Sequence, residues 1–227
     1  MPVMRLIGGR SMGLERFLDR FKVRIEFVTP VLGTLPANPE LLKSYVIGKA
    51  MKEGVELPPE VIEQELAALQ NPEDEVEERT TVFPRDNDGD FCMYDYQVRG
   101  FFKEACWALR QMEGTESAKL ASYKKKIDSF VFVEPRTMKL VLPEGGKPSV
   151  LERPLRAQTP QGERVSIARS EMLPAGTKFE FTVILMAPKV VTREMVLEWL
   201  DYGEWKGFLQ WRTGSHGRFR YEIVKEK

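Results

Sequence analysis

An α+β fold, with four strands and two helices in the order βαββαβ, is what this sequence predicts. Three observations predict it. Stretches at 22–28, 178–186 and 218–223 alternate apolar and polar residues with period two. Stretches at 97–112 and 192–203 repeat apolar residues with helical period. A short apolar run at 130–133 falls between the first helix and the second alternating stretch.

In KVRIEFV, Val23, Ile25 and Phe27 alternate with Lys22, Arg24 and Glu26, the pattern of a half-buried strand. A short helical pattern through Leu14, Phe17 and Leu18 precedes it, behind Gly8, Gly9 and Gly13. Thr29 and Pro30 end the strand, and Pro36 and Pro39 keep the next residues irregular, up to about 40. Helical patterns come near 40–52 and 59–70, the second introduced by Pro58 and Pro59. The stretch 71–90 reads as a loop, with Asn71-Pro72 and Asp88-Gly89 as turn signals.

The helix at 97–112 has its apolar stripe at Val98, Phe101, Phe102, Ala105, Leu109 and Met112, with Gly114 placed as a C-terminal cap. Arg99, Lys103 and Arg110 share its other face. FVFV at 130–133 and MKLVL at 138–142 read as one broken strand or as a pair. Phe179, Phe181, Val183 and Leu185 form the buried side of the next strand. Thr192 opens the second helix as N-cap and Gly203 ends it. In the last strand Phe219, Tyr221 and Ile223 point one way, and Arg218, Arg220 and Glu222 the other. This is a ferredoxin-like (RRM-like) split-βαβ core in a single domain over 1–227, with two long insertions at 29–96 and 143–177.

Composition narrows the function classes. Apolar runs are far too short to cross a bilayer, and no charged start with an apolar core marks a secretory signal, so a cytoplasmic protein with no membrane partner is expected. Cys92 and Cys106 match no metal spacing and make no disulfide framework. No cofactor is implied. Lys and Arg number 34, as do Asp and Glu, so the net charge is zero. Residues 53–78 hold ten acidic side chains and no basic one, which leaves 34 basic against 24 acidic, or +10, elsewhere. That acidic stretch is a solvated helix, a shield against polyanions, or a dock for a basic partner.

Four features offer chemistry. The segment GFLQWRTGSHGRFRYEI at 207–223 joins Gly207, Gly214 and Gly217 to Arg212, His216, Arg218 and Arg220. Glycine-rich backbone can approach a ligand closely and offer N–H groups to phosphate. Trp205, Trp211 and Phe219 either stack on bases or pack. A hairpin turn before an edge strand is the plain structural alternative. Second, Asp86-Asn87-Asp88-Gly89-Asp90 alternates carboxylates, but Gly89 and Gln97 break the calcium-loop pattern, and turn chemistry explains the composition. Third, His216 is the only histidine, the usual general acid or base near pH 7, yet the sequence places no second acid-base residue beside it. Fourth, Lys124-Lys125-Lys126, with Lys119, Arg136 and Lys139, is either a phosphate contact or a solvated face.

Three of these stretches together resemble the repeat-associated RAMP superfamily, the ferredoxin-like proteins that build CRISPR effector complexes. They are KVRIEFVTPVLGTLP, where the first strand runs into a Pro-Gly segment; FPRDNDGDFCMYDYQVRGFFKEA; and GFLQWRTGSHGRF before the last strand. The family's first conserved helix typically opens on a Lys-Gly-x-x-Arg pattern, and here Arg99 and Lys103 take the basic places. The acidic stretch and the neutral charge depart from the family. The likeness is greatest to a backbone-type subunit, in which an insertion between the middle strands forms a thumb over bound RNA. Residues 143–177, with Lys147, Arg153, Arg156, Arg164 and Arg169, stand in the matching place.

The resemblance implies a largely sequence-independent RNA or single-stranded nucleic-acid binder, as a homo-oligomer or in a multi-subunit ribonucleoprotein acting in antiviral defence. Its implied contacts are Arg99, Lys103, Arg153, Arg156, Arg212, Gly214, His216, Gly217 and Arg218. Two alternatives stay open: a metal-independent endoribonuclease using His216, and a protein-only scaffold that kept the fold.

Overall fold

The computed structural model describes residues 17–36, 80–159 and 162–224, with backbone alone for 155–159 and 163–166. The N-terminal glycines, the two helical patterns near 40–52 and 59–70, and the acidic stretch at 53–78 lie outside the described residues.

The chain is α+β. Strand β1 (Asp19–Phe27) is followed by the short strands β2 (Val31–Leu32), β3 (Leu35–Pro36), β4 (Thr80–Val82) and β5 (Cys92–Tyr94). Helix α1 (Asp95–Leu109) and helix α2 (Tyr123–Phe130) lead into β6 (Val131–Glu134) and β7 (Thr137–Lys139). Strands β8 (Ser149–Thr159), β9 (Gly162–Leu173) and β10 (Lys178–Leu185) precede helix α3 (Arg193–Lys206) and strand β11 (Phe219–Val224).

The main sheet has the order β11-β1-β10-β6, and every pairing in it is antiparallel. Because paired residues share a face, the register sorts the sheet into two sides. On one side Val23 pairs Phe181, Ile25 pairs Phe179, Phe27 pairs Phe219 and Val183 pairs Val133, all buried. Helices α1 and α3 cover that side: Phe102 lies 6.4 Å from Phe181 and 5.3 Å from Trp199, centroid to centroid. Each such aromatic or branched side chain removed from water contributes about 1.5–3 kcal/mol.

The other side is charged and largely self-neutralised. Glu180 accepts from both Lys22 and Arg24, Arg24 also pairs with Glu222, and Lys178 pairs with Glu26 at 3.2 Å. Among the described residues, no aromatic side chain stands on this side of its two central strands, β1 and β10. Phe132, 40% exposed, sits on the edge strand β6.

A second sheet has the order β2-β9-β4-β3, with β8 on the other side of β9. β4 runs parallel to β9, and β3 meets β4 through Leu35↔Val82 and Pro36↔Thr81. Beyond these contacts β8 and β9 continue as a two-stranded ribbon, paired from Ser149↔Met172 to Thr159↔Gly162. β5 pairs with β7, so FVFV and MKLVL are two strands in different sheets.

Several local expectations are corrected. Helix α1 begins at Asp95, where Gln97 reaches back to accept from the Tyr94 N–H at 2.8 Å. It stops at Leu109, whose carbonyl accepts from the Thr115 hydroxyl at 2.9 Å. Met112 is left exposed, and Gly114 belongs to the following turn. The stretch 71–90 is not loop throughout, since β4 lies within it. The three lysines belong to α2, whose inward residues Tyr123 and Ile127 are one helical turn apart.

Helix α3 starts at the Thr192 cap, but it does not end at Gly203. It runs on to Lys206, and Gly207 at φ 84° closes it. Gly203 is interior because α1, α3 and β11 meet there. A Cβ at this position would overlap the Phe219 ring and lie 2.7 Å from Phe101 Cζ.

This packing makes two outcomes testable. Gly203→Ala raises helix propensity, yet overpacking prevails, and urea unfolding shows a net loss of about 1–3 kcal/mol. Hydrogen bonds from Lys22 and then Arg24 hold the Glu180 carboxyl below its ordinary range. A lowered folded value gives stabilisation that is whole above the unfolded pKa and is lost as pH falls through the folded one. Thermal midpoints of wild type and Glu180→Gln therefore differ most near neutral pH and converge in acid. The gap stays small because the pair is partly solvated.

Candidate nucleic-acid interface

The glycine-rich segment is held at both ends by buried aromatic residues. Phe208 and Phe219 are 2% and 1% exposed, and both pack on Phe101, at 4.9 and 5.8 Å. The Phe208 N–H donates to the Gly217 carbonyl at 2.8 Å, closing the loop. Gly217, at φ 72°, allows that closure, because a Cβ there would overlap the Phe208 carbonyl. The loop leaves three non-glycine residues, Leu209, Trp211 and Ser215, at positive φ. Such backbone costs roughly 1–3 kcal/mol per residue and collects at functional sites.

The N–H groups that glycine-rich backbone would offer to phosphate are used within the fold. Gly217 donates to the Pro30 carbonyl at 2.8 Å, and Gly214 to the Trp211 carbonyl at 3.0 Å. Gly214 instead lets the chain lie against the Trp211 ring, 2.8 Å from where its Cβ would be. The amides of Gly207, Gly214 and Gly217 are thus all engaged within the fold.

Trp211 joins the loop to the ribbon. His216 stacks on it with centroids 4.9 Å apart and planes 19° apart, and the Arg153 guanidinium lies 4.3 Å from its centroid. A cation over an indole is attracted by the ring quadrupole. Arg153 Nε and Nη1 are enclosed without hydrogen-bond partners, and that desolvation pulls its pKa down from the usual arginine value. Below Trp211, Gln210 Oε1 accepts from the Thr81 and Ser170 hydroxyls at 3.0 Å each, tying the loop to β4 and β9.

Ion pairing sorts the predicted cations. Arg212 pairs with Glu104 of α1, Lys103 with Asp128 of α2, and Arg99 with Asp95 at 2.9 Å. Arg99 is thus paired within α1, and Lys103 across to α2. Arg169, in β9, pairs with Glu152 at 2.7 Å. Arg153 and Arg218 have no carboxylate partner among the described residues. Arg218 Nε donates to the Glu204 carbonyl at 2.9 Å, and its guanidinium lies 5.7 Å from the Trp205 ring centroid. Arg156 stands in β8 opposite Val165, and its side chain lies outside the described residues.

The three aromatics that the sequence left undivided are now distinct. Phe219 is core, Trp211 is a half-covered clamp, and Trp205 is 79% exposed. The clamp between Trp211 and Arg153 was missed from sequence; a guanidinium and an indole 58 positions apart leave no local signal.

The remaining features carry less. Asp86 Oδ1 accepts from the backbone N–H groups of Asp88 and Asp90, at 3.0 and 2.9 Å, so the acidic run is a side-chain-stabilised turn. No group of three potential metal ligands occurs among the described residues. His216 Nδ1 is enclosed without a hydrogen-bond partner, whereas a histidine acting as base is usually oriented through its second nitrogen. Burial pushes Cys92 up to about 12 and Cys106 up to about 11, so both thiols stay protonated at neutral pH. No helix among the described residues is long and apolar enough to cross a membrane.

No protein-family model matches the chain, and no curated protein matches it. Among solved structures, it is similar to a chain of the cryo-EM structure of the type III-B Cmr-beta bound to cognate target RNA. The identity is 8% and the TM-score 0.49, with 92% of this chain covered. The similarity spans 62% of that chain's length.

The clamp is measurable. A double-mutant cycle on Arg153→Met and Trp211→Leu, read by urea unfolding, yields a coupling of about 0.5–2 kcal/mol. Additive losses would show that ribbon and loop are held independently of this contact.

Proposed function

We propose that this protein is a nucleic-acid-binding subunit that takes RNA or another single strand largely without regard to sequence, through the glycine-rich loop and the arginine-bearing ribbon clamped to it. The observation that carries this reading is the sorting of cations. Of the cations singled out as contacts, Arg99, Lys103 and Arg212 are each paired with a carboxylate, whereas Arg153 on the ribbon and Arg218 on the loop have no carboxylate partner among the described residues. A guanidinium on the preorganised loop and another on the ribbon clamped to it, neither with a carboxylate partner among the described residues, suit phosphate, the charge that every nucleotide carries.

The strand order β11-β1-β10-β6, antiparallel throughout with two helices on one side, supports a ferredoxin-like core. In the RRM version of that core, bases stack on the open face of the sheet. Here that face is a ladder of ion pairs without central aromatics. The binding surface in this reading is therefore the loop that leads into the edge strand β11. The ribbon at 143–177 takes the part of a thumb beside it, as the motif resemblance to the RAMP superfamily implies. Work within a multi-subunit ribonucleoprotein belongs to the same proposal.

The test is anisotropy of labelled single-stranded oligonucleotides of several sequences, across a salt titration. Affinity is similar for all sequences and falls with salt. Arg153→Ala with Arg218→Ala weakens every sequence alike and flattens the logarithmic salt slope by about 0.7 for each phosphate no longer neutralised, about 1.4 in all. An unchanged slope removes these arginines from the interface. No binding by the intact chain overturns the reading.

A further inference from the structure

The geometry points to Trp205 as a stacking platform for one unpaired base, with Arg218 holding the phosphate next to it. This rests on the nucleic-acid reading above and adds what that reading lacks: a means of telling single strands from duplexes.

Helix α3 directs Met195, Val196, Trp199, Leu200 and Gly203 inward, and Trp205 falls on the outward side of its last turn. At 79% exposure it is the most exposed large apolar side chain in the described fold. Packing gives no reason for an indole there, since it contributes almost nothing to the core. Its neighbour is the second observation. The Arg218 guanidinium lies over one face of the ring, fixed by the bond from Nε to the Glu204 carbonyl, and the indole's 79% exposure leaves its other face open. Arg220, two residues on in β11, is exposed and has no carboxylate partner among the described residues. Two nearby acids are occupied: Asp201 accepts from the Tyr221 hydroxyl at 2.7 Å, and Glu222 pairs with Arg24.

An open aromatic face next to a fixed cation matches one nucleotide unit, a planar base beside a phosphate. A base within a duplex has both faces covered by its neighbours, so only an unpaired base can lie on the indole. The ligand class is therefore single-stranded RNA or DNA, with no preference among bases.

Trp107 supplies an internal control. It is 57% exposed on α1, and no cation lies over its ring among the described residues.

The experiment uses the full chain with labelled oligoadenylate, oligouridylate and oligodeoxythymidylate, and a duplex of equal length. Affinity is read by anisotropy and ring contact by tryptophan emission. Trp205→Leu is expected to weaken single-strand binding about 5- to 100-fold, with the melting temperature unchanged. Trp205→Phe restores most of the affinity, and Trp107→Leu changes nothing. Part of the emission quenched by single strands in wild type is lost in Trp205→Leu, and the duplex binds more weakly than any single strand. Wild-type affinity in Trp205→Leu, or equal binding of duplex, overturns the platform while the broader reading stands. Absence of binding in every variant, wild type included, overturns both. If Trp205→Leu abolishes self-association by sedimentation without altering oligonucleotide affinity, the indole is a protein contact, and the proposal fails.

Discussion

The close approach of α3 to β11 at Gly203 is the constraint on which the rest depends. Because Gly203 has no side chain, Phe219 can lie against the helix and meet Phe101 and Phe208 in one aromatic cluster. That cluster fixes the two ends of the glycine-rich loop at 208 and 219 to the same core that orders the main sheet. The residues between have little freedom, so the loop adopts left-handed backbone at Leu209, Trp211 and Ser215. Preorganisation of the candidate interface is thus a by-product of helix packing, and it lowers the ordering cost that a ligand must meet.

Trp211 carries this order outward. It faces the core-anchored loop through His216 and Gly214, and the ribbon through Arg153. Among the described residues the ribbon beyond β2 and β4 has no third strand to steady it, and an isolated two-stranded ribbon is marginal in water. A single cation–π contact supplemented by the Gln210 hydrogen bonds is therefore the means by which ribbon and loop share one geometry.

Much of the frame could be read from the sequence, and the reasons are specific. β1, β10 and β11 each bury one side, so Val23, Ile25, Phe27, Phe179, Phe181 and Phe219 alternate visibly. α1 and α3 bury one face and carry its period. The ribbon was illegible as structure because neither of its sides is core: Val150, Pro154 and Ile167 are exposed, and Glu152 and Arg169 pair across it. α2 was hidden behind its lysines, though Tyr123 and Ile127 stood at helical spacing. Gly203 looked like a stop because a glycine late in a helix usually is one, and only the third dimension shows Phe219 beside it. Among the candidate contacts, residue type picked out the arginines, but it could not say which had partners. Glu104 lies 108 positions from Arg212, and Asp128 lies on another helix from Lys103.

The ladder between β3 and β4 also bears on how such a chain can change. Pro36, the last residue of β3, stands directly opposite Thr81, the second residue of β4. The two ends of the intervening stretch are therefore neighbours, and the sheet fixes their separation whatever its length. Loop-closure entropy grows only with the logarithm of length, so doubling or halving such an excursion shifts stability by about 0.6 kcal/mol. A longer, shorter or differently charged stretch joined at these two ends leaves the pairing of the strands on either side unchanged. The junction is a socket, whose geometry is set by the paired strands and not by what is joined between them.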